Sequence, residues 1–483
     1  MIYVDRSSRI PIYRQIYEQV KNDIMLGNMR AGSKLVSTRV LANNLSVARN
    51  TVEYAYEQLY LEGYVQSKPS SGYIVQEIGK NLLSHYVNHL SLKDSSVSVS
   101  NFSDFVSEDI ASWVNEEHDK YKFNFLCTSY SDNLFPYNLW SKLTLEALKS
   151  PSRHQMNSYN DKQGEIDLRI EIMKYLGRSR GVRCTAEQIV VCCGLQIALD
   201  VICKLLGNNS NAIAFEEPSN DIAREVVLNN GFDIIPIPVE NDGINVCELE
   251  CSNACTVVVT PSHQFPTGVL MSIQKRLQLL EWAVKKNAVI IEDDFDSELR
   301  YHASPIPSLQ SIDTNSRVIY LGTFSKSLST DLRASYIVLP IWLLPRYHKM
   351  FARYRPTQSW LQQSVLSKFI QGGHFDRHVR KLRSVFEKRH DTLVMIIKSV
   401  MKDKVLVHDG GAGTHIILEF TGDVNQKWLI SRAKDFGVKV YSTTPFWFRR
   451  ENCPQNTLLI GFSKIEKQEI IEGVTVLNDA WFV

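Results

Sequence analysis

Apolar residues recur every four positions at Ile12, Ile16, Val20 and Ile24, the spacing that gathers them on one face of a helix. Pro11 suits the first position of that helix, and Gly27 suits its end. Ser37 then caps a short second helix carrying Arg39, Leu41, Ala42 and Leu45. A third helix is predicted from about Ala48, with Val52, Tyr56 and Leu59 inward and Gly63 at its end. Tyr64 to Ser67 and Tyr73 to Gln76 read as two short strands around a turn containing Lys68, Pro69, Ser70, Ser71 and Gly72. Three helices and a hairpin predict an α+β winged helix-turn-helix over residues 1–78.

Residues 79–120 lack this periodicity. The serine-rich run from Lys93 to Asn101 marks a linker, with short helical pieces expected around Leu82–Leu90 and Phe105–Trp113. From Tyr121 the pattern changes again. Short apolar runs at Ile189 to Cys193, Ala212 to Phe215, Thr256 to Val259, Val289 to Ile291 and Val318 to Leu321 alternate with helical stretches such as Ile273 to Lys285. That alternation predicts an α/β domain with a largely parallel sheet over residues 121–483.

The chain has 483 residues, room for two or three domains with a large core. It is 44% hydrophobic and 22% charged, with a formal net charge of +2, so charge decides nothing about nucleic acid. Residues 1–78 are no more telling, with nine Lys/Arg against seven Asp/Glu. No run of 18 apolar residues predicts a membrane span, and the first residues do not read as a secretion signal. Nine cysteines in this length predict no disulfide framework, which fits a cytoplasmic setting. The evenly spaced Cys247, Cys251 and Cys255 lack a histidine nearby and are read as chance rather than a metal site.

Two strand ends carry candidate chemistry. The run ending at Leu321 leads through Gly322 to Lys326 and Arg333. A lysine just past a core strand is partly desolvated, which lowers its pKa and makes its amine a nucleophile for an aldehyde. Thr323, Ser325 and Arg333 can ligate a phosphate beside it. A second apolar strand ends in Glu292-Asp-Asp-Phe-Asp296, and one of those carboxylates can pair with a protonated pyridine nitrogen. A Schiff-base lysine with a carboxylate partner is the signature of pyridoxal phosphate binding. Gly194 opens a helix directly after another strand, where free backbone N–H groups can receive a phosphate. In the N-terminal domain, Arg49, Asn50 and Thr51 fall at the start of the third helix, the part of a recognition helix that reaches bases and phosphates. Arg39 and Lys68 can reach DNA backbone from the second helix and the wing.

The stretch from Leu35 to Leu59 resembles the DNA-binding domain of the GntR superfamily of bacterial regulators. Phe135-Pro136, Tyr159 to Gly164, Leu168-Arg169, Thr260 to Gly268, Glu292 to Glu298 and Gly322 to Lys326 resemble, in order, the MocR/GabR subfamily. In that subfamily a GntR-type winged helix is fused to an aminotransferase-like domain of fold type I. The resemblance implies a large domain over about 160–345, and a small domain over about 346–483 plus 121–159. It implies that Lys326 is the Schiff-base lysine and Asp293 the partner of the pyridine nitrogen. Gly194, Leu195, Gln196, Thr323, Ser325 and Arg333 would cradle the phosphate, with Phe295, His263 and Gln264 around the ring. Ser37, Arg39, Arg49, Asn50, Thr51, Lys68 and Ser71 make up the implied DNA-contacting set.

The departures from the family pattern concern capping and substrate grip. Val36 replaces a proline, and Ala48 replaces the serine that usually caps the third helix, which leaves Ser46 or solvent to cap it. Phe295 stands where many relatives have tyrosine. Asn220-Asp-Ile222 replaces the Tyr-Pro-Arg of relatives that bind γ-aminobutyrate. Gln455-Asn-Thr457 occupies the place of a second arginine, with Arg449 and Arg450 out of register. Bidentate arginine is how such sites grip carboxylates.

The expectation is therefore a homodimeric regulator, not an enzyme, that binds double-stranded operator DNA and senses a small molecule through its pyridoxal phosphate domain. Pyridoxal phosphate itself is the favoured signal, as in members that control vitamin B6 synthesis. The alternatives are an amine or amino acid effector, with Arg449 or Arg450 as anion partner, an active aminotransferase, and a DNA-binding protein whose second domain only dimerises it.

Overall fold

A computed structural model describes residues 2–6, 8, 10–25, 27–68, 72–77, 121–127, 134–158, 160–207, 212–301 and 306–482. The expected linker helices, Tyr159 and Ser71 lie outside these residues.

The N-terminal unit has helices α1 (Ile12–Met25), α2 (Thr38–Leu45) and α3 (Arg49–Leu61), then strands β1 (Val65–Lys68) and β2 (Gly72–Val75). The four-residue spacing holds, since Ile16, Val20 and Ile24 are buried beside Tyr17. The Ser37 hydroxyl caps α2 by accepting from the Val40 amide at 3.3 Å. Ser46 does not cap α3. It adopts a left-handed conformation (φ 52°) that closes the end of α2, and Ala48 begins α3 without a side-chain cap. The hairpin pairs Val65 with Val75 and Lys68 with Gly72.

After β3 (Phe123–Asn124), helices α4 (Tyr137–Lys149) and α5 (Ile166–Ser179) lead to the main sheet. Its strands are β4 (Ile189–Cys192), β5 (Ala212–Glu217), β6 (Asp233–Glu240), β7 (Gly243–Ile244), β8 (Thr256–Val259), β9 (Val289–Asp294), β10 (Val318–Thr323) and β11 (Ser335–Val338). Their order is β4-β11-β10-β9-β8-β5-β6-β7. The run from β10 through β6 is parallel, whereas β11 is antiparallel to both its neighbours and β7 is antiparallel to β6. β4, β5, β8, β9 and β10 are buried throughout, which is why they read as unbroken apolar runs. Three strands of this sheet, β6, β7 and β11, go beyond the sequence reading. β6 carries Pro236 and Pro238, which break a strand pattern, and β7 has only two residues.

Helices α6 (Gly194–Leu206), α7 (Asp221–Asn229), α8 (Ile273–Lys285) and α9 (Trp360–Gln371) belong to this part. Apolar cores form on the two sides of the sheet, one under α6 and α7, another under α8. α4, α5 and α9 share a further core with β10 and β11. The long helix α10 (His374–Val400) then runs to a four-stranded antiparallel sheet of β12 (Val405–His408), β13 (His415–Phe420), β15 (Tyr441–Ser442) and β16 (Thr457–Gly461). β14 (Val438–Lys439) pairs with β3, so the chain before α4 packs with this C-terminal part.

The winged helix rests on α8. Ile273 and Leu277 are buried in the same apolar cluster as Ile16, Val20, Leu59 and Tyr64. The Ile273 amide donates to the Glu62 carbonyl at 2.7 Å. Gln274 donates to the Glu77 carbonyl at 2.7 Å. A Cβ on Gly63 would lie 3.1 Å from the Ser272 Cβ, so the two segments are in close contact.

Candidate cofactor site and nucleic-acid interface

The carboxyl ends of β4, β5, β8, β9 and β10 point to one side of the sheet, where ligands of such folds sit. Leu321 of β10 lies beside Asp293 of β9 in register. The chain leaving β10 reaches Lys326, whose Nζ donates to the Cys127 carbonyl at 3.0 Å. Thr414 donates to the same carbonyl at 3.0 Å. Lys326 is thus held where β10, the segment after β3 and the approach to β13 meet.

Asp293 is 5% exposed, and its Oδ1 has no hydrogen-bond partner. Burial pushes its carboxyl up to about 8, with Asp294, Asp296 and Glu216 adding repulsion. A buried carboxyl without a partner costs stability unless a cationic N–H is brought to it. The protonated nitrogen of a pyridine ring has that chemistry.

The phosphate side is equally specific. Gly194 begins α6 with φ +81°, and a Cβ there would lie 2.6 Å from Nη2 of Arg333. Only glycine lets the guanidinium lie against the first turn of the helix. Arg333 itself has φ 48° and donates to the Gln196 side chain at 3.3 Å. The Thr323 hydroxyl accepts from the Ser325 amide at 3.1 Å. Gly194, Gln196, Thr323, Ser325 and Arg333 therefore converge, with Leu195 turned partly toward the core under α6. A helix N-terminus beside a guanidinium and two hydroxyls fits a phosphate dianion.

Phe295 and His263 stack at 6.2 Å between ring centroids, with an interplanar angle of 26°. His263 is buried, and its Nδ1 lies 2.8 Å from Asp296 Oδ2. Gln264 is a brace instead: its amide donates to the Pro218 and Phe265 carbonyls, both at 2.7 Å. Glu216 accepts from the Thr260 amide at 3.0 Å and from its hydroxyl at 2.6 Å, and burial raises that carboxyl to about 7.

Several site residues escaped the sequence reading. His415 on β13 reaches the Pro266 carbonyl at 2.9 Å, and burial with His263 and Lys326 nearby pulls its pKa down to about 3. Cys127, Thr414 and His415 come from segments without a motif, so no sequence signal pointed to them. Arg224 on α7 was also missed. It is 6% exposed, donates to the Pro445 carbonyl at 2.7 Å and also to Phe446 and Ser219, and lies 3.9 Å from Glu217. Asn220, at the place of a substrate-binding segment in some relatives, caps α7 by accepting from the Ala223 amide at 3.1 Å. Arg449 and Arg450 are exposed, and the Arg449 amide donates to Glu217 at 2.8 Å.

At the other end of the chain, Arg49 and Asn50 are exposed at the start of α3, with Thr51 half-buried beside them. Arg49 is steered by Glu53, 2.7 Å away one turn later. Arg39 is exposed on α2, and Ser37 is committed to its cap. Lys68 ends β1, opposite Gly72. The face formed by α2, α3 and the hairpin is that of a winged helix-turn-helix.

The molecule thus joins a winged helix to the fold of the aminotransferases. The family described as bacterial regulatory proteins, gntR family, matches residues 12–75, and aminotransferase class I and II matches residues 129–417. The chain is 34% identical over 483 residues to the uncharacterized HTH-type transcriptional regulator YdeL of Bacillus subtilis, covering 99% of this chain and 98% of that one. It is 30% identical over 486 residues to the probable rhizopine catabolism regulatory protein MocR of Rhizobium meliloti, covering 100% and 96%. In structure it resembles a kynurenine aminotransferase of Pyrococcus horikoshii (TM-score 0.68, 24% identity, 75% of this chain and 91% of that one). The chain belongs to the MocR/GabR subfamily of GntR-type transcription regulators. Among the described residues no helix is long and apolar enough to cross a membrane.

Proposed function

We propose that this regulator binds pyridoxal phosphate at Lys326 and uses that binding to set its affinity for operator DNA, as a homodimer on two half-sites. The observation that carries the reading is Asp293, a buried carboxyl with a free oxygen on the strand beside the one that leads to Lys326. Pyridoxal phosphate, when bound, supplies an aldehyde for an amine and a ring nitrogen that takes a proton. Lys326 provides the amine, and Asp293 holds the ring proton. Gly194, Leu195, Gln196, Thr323, Ser325 and Arg333 hold the phosphate. Phe295 and His263 cover the ring, and Asp296 orients His263. Arg39, Arg49, Asn50, Thr51, Lys68 and Ser71 hold the DNA, with Ser37 shaping the start of α2.

Pyridoxal phosphate itself is the signal in this reading, and the domain acts as a sensor rather than an enzyme. The committed state of Arg224 supports this. Its donors are taken by backbone carbonyls of the C-terminal part, so it offers no free fork to an amino-acid carboxylate. A ligand shifts a conformational balance only through different affinities for two arrangements. The loop Thr260–Gly268 supplies the route, since Arg276 on α8 donates to the Pro261 carbonyl at 3.0 Å while the same helix seats the winged helix.

Borohydride treatment of the yellow protein should fix the cofactor to Lys326, and Lys326→Ala should remove the link. Operator affinity is then compared for protein without cofactor, with it, and with it plus a panel of amino acids. Equal affinity with and without cofactor, and a several-fold shift by one amino acid, would replace the cofactor with an amine effector.

A further inference from the structure

A cavity of about 490 Å³ is lined by residues other than those of the cofactor cradle. It is bounded by the end of α5, the turn after β9 and the first turns of α10. Five arginines line it: Arg178, Arg180, Arg377, Arg380 and Arg383. Two of them are neutralised, Arg180 by Asp294 at 2.7 Å and Arg178 by Asp376 at 3.5 Å.

The other three are not neutralised. Arg377, Arg380 and Arg383 follow one another at three-residue intervals on α10, a spacing that keeps them on neighbouring turns. Among the described residues no carboxylate lies within ion-pair distance of them. Arg377 donates to the Gly372 carbonyl at 3.0 Å, and Arg383 donates twice to the Glu298 carbonyl, at 3.2 and 2.9 Å. Those contacts orient the Arg377 and Arg383 guanidinium groups but do not neutralise them. Three like charges on one helix edge repel, and an anion between them removes that cost.

The floor of the cavity carries a second observation. Glu298 is 9% exposed; it accepts from the Tyr175 hydroxyl at 3.0 Å through Oε1, while Oε2 has no hydrogen-bond partner. A solvated basic face accounts for the arginines but not for a buried, half-satisfied carboxyl among them.

We propose that this cavity binds a small phosphorylated metabolite. Arg377, Arg380 and Arg383 hold its phosphate, and Glu298 Oε2 takes a hydroxyl or amine of the same molecule. The place gives the ligand leverage. α10 continues into the C-terminal core through Leu382, Phe386 and Leu393, so an anion bridging its first turns to the turn after β9 fixes how the two parts meet.

The full chain is titrated with inorganic pyrophosphate at constant ionic strength and followed by calorimetry and melting temperature. Saturation at one site per chain is expected. Arg380→Glu, at an exposed position, should weaken that binding at least about tenfold. Absence of saturable binding, or unchanged affinity in Arg380→Glu, overturns the proposal. Binding that disappears in Arg333→Ala and survives in Arg380→Glu belongs to the cofactor cradle and also overturns it. So does an Arg380→Glu variant that loses operator affinity in the absence of pyrophosphate, since the arginine then serves DNA.

Discussion

The amide of Ile273 donates to the carbonyl of Glu62 across 2.7 Å, and this bond joins the turn after the recognition helix to the first turn of α8. Ile273 and Leu277 are 3% and 6% exposed within the winged-helix core. Ile273→Asp places an unpaired charge in that core and should cost about 2–4 kcal/mol. Operator affinity should fall, and amides of α1 and α3 should exchange faster, although Ile273 lies outside the implied DNA-contacting set. Unchanged exchange in α1 and α3 would show that the winged helix does not depend on this seat.

Asp293 gives a pH dependence with a defined sign. Its carboxyl rises from 3.8 to about 8 on folding, so between those values the folded state keeps a proton that the unfolded state has lost. Its contribution to stability therefore falls as pH rises through that window. Without cofactor, Asp293→Asn should raise stability at pH 8 by at least about 1 kcal/mol, with a smaller gain at pH 5. The same substitution should loosen pyridoxal phosphate and shift its absorbance. Melting curves at the two pH values check the first part, and a gain that does not grow with pH refutes it.

Gly194→Ala tests the cradle without touching Lys326 or Asp293. The added Cβ meets the Arg333 guanidinium at 2.6 Å, on a backbone with φ +81°. Strain of about 1–3 kcal/mol is expected at such a position. Pyridoxal phosphate should dissociate about tenfold faster or more, while borohydride still traps what remains bound. Retention equal to that of the parent would remove Gly194 from the phosphate site.

On the DNA side the two arginines should behave differently. Arg49→Ala should cost about 1–3 kcal/mol on the preferred operator and relax sequence preference. Arg39→Ala should weaken all sequences alike and reduce the salt slope by about one. Competition between specific and random duplexes at several salt concentrations separates these outcomes.

What could be read from the sequence follows from where the chemistry is local. The periodic helices of the winged domain and the five buried parallel strands are properties of short segments, and they stand as read. Lys326 drew notice because it follows an apolar run, and the carboxylates of Glu292 to Asp296 because they close one, whereas the choice of Asp293 among them came from the family resemblance. His415, Thr414 and Cys127 were not legible, because they meet Lys326 only through the packing of β13 and the segment after β3 against the main sheet. The strand carrying Pro236 and Pro238 was hidden because its prolines sit near a sheet edge that tolerates them. Ser46 failed as a cap for α3 because the backbone of α2 already uses it at a left-handed turn. The cavity under α10 has no motif, since its arginines gain meaning only beside Glu298.

The seat on α8 also bears on how such genes can be shuffled. Residues 1–77 carry most of the apolar lining of the winged helix, but Ile273 and Leu277 complete it from a distant part of the chain. A hybrid gene joining this reader of DNA to another aminotransferase fold would inherit a gap unless the first two turns of α8 travelled with it. Recombination at the linker alone is therefore a poor source of new regulators from this one, and drift in either half is checked by the other.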